Sequence, residues 1–114
     1  MHQQEMLKGN TDTLLLALLE EEAMYGYQIV KEVDERSSGY FAFKEGTLYP
    51  ALHRLEKAKL IEGRWEDTPS NVRRRYYRIT AKGQLALADR LTEWQRFSNA
   101  MNLIMLPGVQ PEPQ

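Results

Sequence analysis

The sequence predicts a mainly α chain carrying one small β-hairpin, an α+β fold. Three observations carry that prediction. Apolar residues recur at helical spacing in three separate stretches before residue 60. Past Leu60 the pattern changes to two short alternating segments flanking a cluster of turn residues. A last helical stretch then continues until Pro107-Gly108.

Taken in order, Thr11 or Asp12 is placed to cap a first helix, in which Leu14, Leu15, Leu18 and Leu19 precede Glu20-Glu21-Glu22. A second helix is expected over residues 25–36, with Ile29, Val30 and Val33 inward and Ser37-Ser38-Gly39 as its stop. Phe41-Ala42-Phe43 is an apolar linker that either pairs as a strand or plugs the core. Pro50 restricts the third helix, because proline lacks an amide hydrogen and its ring clashes with the preceding turn in a helix interior. That helix is therefore expected to begin near Gly46 or Thr47 and to end near Lys59. Leu48, Leu52 and Leu55 then form one inward stripe, while Tyr49, His53 and Arg54 fall off it.

Ile61-Glu62-Gly63-Arg64-Trp65 and Arg75-Tyr76-Tyr77-Arg78-Ile79 read as strands around the turn residues Asp67-Thr68-Pro69-Ser70-Asn71. Tyr77 and Ile79 alternate with Arg78 and are expected in the core, and Trp65 is expected to pack the hairpin against the body. Thr80 caps a final helix over residues 81–106, roughly 37 Å long at about 1.5 Å per residue. That is longer than so small a domain needs for its own core. Residues 107–114 are expected to be a disordered tail.

The chain of 114 residues is long enough for one modest core, and its 42% hydrophobic content is ordinary for a globular domain. It has no cysteine, which excludes disulfides and thiolate chemistry. Met1-His2-Gln3-Gln4-Glu5 lacks the layout of a signal peptide, and the apolar run Leu14 to Leu19 is too short to span a bilayer. A cytoplasmic protein with no membrane partner is expected. The net charge of −1 conceals an asymmetry: residues 44–78 hold nine basic and five acidic side chains, the remainder 6 and 11. One cationic face on an acidic protein follows.

Helix, helix, helix, hairpin, long helix is the order of a winged helix-turn-helix, whose third helix enters the major groove of double-stranded DNA. Residues 1–80 are assigned to that unit and residues 81–106 to a dimerisation helix. The segment from Lys44 through Gly46 and Thr47 to Pro50 presents the positive end of the third helix to a phosphate. Lys44, Thr47, Tyr49 and Arg54 supply donors, and Arg73, Arg74 and Arg75 on the wing reach the flanking backbone or the minor groove. A solvated edge is the bland alternative for the arginine run, and packing on the wing is that for Tyr49. His53 and Glu56 at i, i+3 read as a helix-surface pair, and no metal or cofactor is expected. An enzyme is disfavoured, since no nucleophile–base pair and no glycine-rich phosphate loop is present. A winged-helix module that binds protein or RNA stays open, since fold alone does not imply DNA.

In the last helix Leu87, Leu91, Trp94, Ser98, Met101 and Met105 follow at spacings of 4, 3, 4, 3 and 4, an a/d seam that predicts pairing in a homodimer. Two copies of Trp94 then approach each other. Either they interdigitate as core, or the small Ser98 one turn away leaves a gap in which two indoles sandwich a planar aromatic or cationic ligand.

Gly46-Thr47-Leu48-Tyr49-Pro50-Ala51-Leu52-His53-Arg54-Leu55-Glu56 resembles the recognition-helix signature of the PadR family of bacterial regulators. Arg73-Arg74-Arg75-Tyr76-Tyr77-Arg78-Ile79-Thr80-Ala81-Lys82-Gly83 resembles its wing strand and helix entry, and Tyr25-Gly26-Tyr27 the opening of its second helix. The single C-terminal helix is similar to that of the compact subfamily, which dimerises through it and includes multidrug-binding repressors. The resemblance implies that Trp94 stacks on an effector in a pore closed by the first helix, lined by Met6, Asp12, Ala17, Leu91 and Ser98. Leu91 is less aromatic than some relatives at this place, which implies weaker stacking, and Asp12 at the mouth implies a preference for cations. A repressor of a pseudo-palindromic operator, released when the effector respaces the two subunits, is the function the resemblance implies.

Overall fold

A computed structural model of the chain describes residue 7 and residues 9–108. Its elements run α1 (Thr11–Glu21), β1 (Met24–Tyr25), α2 (Gly26–Arg36), α3 (Glu45–Lys57), β2 (Ile61–Asp67), β3 (Arg73–Ile79) and α4 (Ala81–Met105). The three strands form one antiparallel sheet in the order β1-β3-β2. This is a winged helix-turn-helix: α2 and α3 are the helix-turn-helix, and β2 with β3 is the wing.

α1 is the central helix. Leu15, Leu16, Leu18 and Leu19 are all buried, because α1 packs against α2, α3, α4 and β3 at once. Leu16 thus joins the core, whereas Leu14 is only partly covered. Neither Thr11 nor Asp12 is the cap: Asn10 holds that position, and the Thr11 hydroxyl donates instead to the Leu7 carbonyl at 3.5 Å. Phe43 plugs the core and Phe41 packs at its margin, so the linker does not pair as a strand.

α2 and α3 end alike. The Gly39 amide donates to the Asp34 carbonyl at 2.8 Å around Ser38 (φ 53°), and the Leu60 amide to the Leu55 carbonyl at 2.9 Å around Lys59 (φ 64°). In both, a left-handed residue closes the last turn by a six-to-one hydrogen bond, and at α2 the next residue, Gly39 (φ 79°), is left-handed as well. At α3, the turn also drops Leu60 into the core. α3 begins at Glu45, earlier than expected, so Pro50 lies in its second turn and not its first. The arrangement is tolerated because Pro50 and Gly46 both face solvent, and water can satisfy the Gly46 carbonyl that the missing amide leaves bare.

The hairpin runs from the pair Ile61↔Ile79 to Asp67↔Arg73, two pairs longer at its turn end than the alternation suggested. Its tip is tied by the Thr68 hydroxyl, which donates to the Val72 carbonyl at 2.6 Å, and by Asn71 at φ 62°. β1 adds the pairs Met24↔Tyr77 and Tyr25↔Tyr76. Tyr77 is buried and Ile79 partly so. The Thr80 side chain caps α4 by accepting from the Gly83 amide at 3.0 Å. Leu87 is 1% exposed within the protomer's own core, so it cannot belong to an intersubunit seam. Beyond it α4 leaves the body with Leu91, Trp94, Phe97, Met101 and Met105 exposed, and the molecule extends 56 Å along its long axis. Pro107 and Gly108 form a turn, and the rest of the expected tail lies outside the described residues. Among those described, no helix is long and apolar enough to cross a membrane.

Candidate nucleic-acid interface

The opening of α3 is bare. Lys44 stands at its N-cap, and Lys44, Gly46, Thr47 and Pro50 are exposed, with open space where a side chain on Gly46 would project. Tyr49 is half exposed. Its ring lies over Gly26 at the start of α2, where an added Cβ would sit 2.5 Å from the phenolic oxygen. Gly26 is thus the notch that lets Tyr49 bridge the two helices of the motif.

The wing arginines divide by strand alternation, since neighbouring residues point to opposite faces. Arg75 points toward the body, where it pairs with Glu56 of α3; Glu56 also accepts the Gly63 amide at 3.2 Å. Gly63 leaves the room, because a Cβ there would lie 2.5 Å from the Arg75 Nε. Arg75, expected on DNA, is therefore a strut that fixes the wing to α3. Arg73 is on the same face nearer the tip, exposed, with Asp67 at 3.4 Å. Trp65 is 56% exposed and does not pack the wing against the body. It lies between the two guanidinium groups, each 5.9 Å from its ring. Arg74 faces the other way, its guanidinium 4.4 Å above the Tyr25 ring. Burial in the sheet pushes the Tyr77 phenol above its ordinary value.

Arg54 also departs from the expected set. It pairs with Asp12 of α1 at 3.0 Å and lines a groove of about 860 Å³ between α1, α3 and α4. That groove brings together Asp12 and Trp94, and adds Phe97, Asp89 and Glu93. The Trp94 and Phe97 rings stack with centroids 6.0 Å apart. Phe97 was missed because the heptad count favoured Ser98, although an aromatic at i+3 from Trp94 was there to be seen. Leu91 and Ser98 do not line this groove in the protomer; the Ser98 hydroxyl donates to the Gln95 carbonyl at 3.2 Å. Ala17 opens on a separate cleft with Leu14, Leu18 and Phe41. Met6 lies outside the described residues.

An exposed helix start, a glycine-notched turn and a wing braced against the helix define a winged helix-turn-helix regulator. The model of the transcriptional regulator PadR-like family matches residues 15–89, and the chain belongs to that family. It is a transcriptional regulator and not an enzyme. The chain is similar to a transcriptional regulator from Clostridium thermocellum, 34% identical with a TM-score of 0.82 over 89% of this chain and 98% of that one. It is also similar to a PadR family transcription regulator from hypervirulent Clostridium difficile, 39% identical with a TM-score of 0.74 over 82% and 96%. Bacillus subtilis PadR, solved in complex with operator DNA, is 22% identical with a TM-score of 0.64 over 90% of this chain and 51% of that one, and shares the fold.

Proposed function

We propose that this regulator is a cytoplasmic repressor that binds a pseudo-palindromic DNA operator as a homodimer and is released by a planar aromatic or cationic effector. The observation that carries the reading is the exposed opening of α3, flanked by Arg73 and Arg74 on a wing that Arg75 and Glu56 hold in place. Lys44 and Thr47 face phosphate or base edges, Tyr49 approaches from the helix-turn-helix junction, and Arg73 and Arg74 track the flanking backbone. Residues 81–106 serve as the dimerisation helix, with Leu91, Trp94, Met101 and Met105 as its seam.

The effector site is the groove beside Trp94. The stacked Trp94 and Phe97 rings supply an aromatic wall, and Asp89 and Glu93 supply negative charge beside Arg90, while Asp12 is paired with Arg54. A flat cation suits both. Because Arg54 of α3 lines the same groove through its pair with Asp12, an effector there acts directly on the helix that reads DNA. Titration of the tryptophan fluorescence with flat aromatic cations tests this. Saturable quenching in the wild type, lost in Trp94→Phe while duplex binding persists, is expected. Equal quenching in both proteins would place the effector elsewhere.

A further inference from the structure

The outward face of the sheet joins Arg74 to three tyrosines that the reading above leaves unused. Tyr25 in β1 is paired with Tyr76 in β3, and their rings meet edge to face with centroids 5.4 Å apart. Tyr27 stacks on Tyr25 at 6.5 Å, its planes 18° from parallel, and is 69% exposed. Arg74 lies 4.4 Å above the Tyr25 ring. The cluster is continuous with α3, because Gly26, under the Tyr49 ring, sits between Tyr25 and Tyr27 in the chain.

The state of Arg74 sets it apart from its neighbours on the strand. Arg73 has Asp67, Arg75 has Glu56 and Arg78 has Glu66, whereas no described carboxylate forms an ion pair with Arg74. A guanidinium stacked on a ring engages its flat face only, so its N–H donors still radiate from the edge. Stacking also restricts the rotamers, so less entropy is lost when those donors are used. Arg74 is thus a charge held in place without a counter-ion among the described residues, beside an exposed phenol and next to α3. An oxyanion with several acceptors is what such a fork binds best.

We infer that Tyr25, Tyr27 and Arg74 form a clamp for one backbone phosphate of the duplex, at the edge of the groove that α3 enters. Arg74 supplies the charge and the Tyr27 hydroxyl a second donor. Tyr25 is a positioning residue that aims Arg74 through its ring. The inference rests on the DNA-binding reading and extends it to residues at the start of α2.

The experiment measures affinity for a mixed-sequence duplex against salt concentration, since phosphate contacts carry no sequence information. Arg74→Ala should lower the magnitude of the salt slope by about 1. Tyr27→Phe should weaken binding by about 5-fold at an unchanged slope, because a neutral donor releases no counter-ion. Tyr25→Phe keeps the ring and should bind as the wild type does. Tyr25→Leu should weaken binding, and adding it to Arg74→Ala should cost nothing more. Thermal melts of each variant separate these effects from misfolding, and the exposed Tyr27 gives a reading independent of strand pairing. Wild-type affinity and slope in Tyr27→Phe, or losses from Tyr25→Leu and Arg74→Ala that simply add, would overturn the clamp while leaving DNA binding intact. A wild-type protein without affinity for duplex would overturn the DNA-binding reading itself, and the clamp with it.

Discussion

At Gly83 the first turn of α4 passes against the chain just after α3. A Cβ there would lie 2.0 Å from the Leu60 carbonyl oxygen and 2.7 Å from the Ile79 Cγ1. The backbone oxygen cannot move without breaking the end of the wing, where the Thr80 amide donates to it at 3.0 Å. Gly83→Ala is therefore expected to cost about 3 kcal/mol, the upper range for overpacking, read as a lowered denaturation midpoint. A midpoint unchanged from the wild type would contradict the packing. This constraint was not legible in the sequence, where Gly83 appears only as a helix residue of poor propensity. The Thr80 cap was, because a side-chain oxygen three residues ahead of a free amide is a local arrangement. Pair partners were not: nothing local to Arg54 or Arg75 announces Asp12 or Glu56, which lie 42 and 19 residues away.

Among the elements, the wing is where charge alone misleads. Three successive arginines look equivalent in the sequence, yet the pleat sends Arg75 onto Glu56 and Arg74 onto Tyr25. Arg75→Ala strips the half-buried Glu56 of its partner and is expected to cost roughly 1–2 kcal/mol of stability. Arg73→Ala removes an exposed charge whose pair with Asp67 is worth little, so stability should hold within about 0.5 kcal/mol while the salt slope for duplex falls by about 1. Chemical denaturation beside duplex titration distinguishes the two, and equal stability losses would contradict the division. The helices were read well because each carries its own period and stop. β1 escaped notice because two residues cannot show an alternation. Pro50 moved the expected start of α3 because its cost is small where the bared carbonyl meets water.

For the whole molecule the informative feature is the change in α4 after Leu87. Up to that residue the helix completes the protomer's core, and past it apolar side chains face outward on a helix that extends beyond the body. A heptad count cannot tell which of its positions the protomer keeps for itself, so Leu87 was counted into the proposed seam, for which Leu91 is the first exposed member. Leu87→Ala should then unfold the protein by about 2–5 kcal/mol. Met101→Glu should leave the protomer folded and shift sedimentation from dimer to monomer, with much of the operator affinity lost. A Met101→Glu protein that sediments as the wild type does would show that this face is not the seam.

Selection of duplexes from a random-sequence pool by the wild-type protein tests the central claim most directly. Two α3 helices related by a two-fold axis predict an inverted repeat with half-site centres about 10 base pairs, or one helical turn, apart. Enrichment of a single unrepeated site, or of no sequence over the starting pool, would contradict the account.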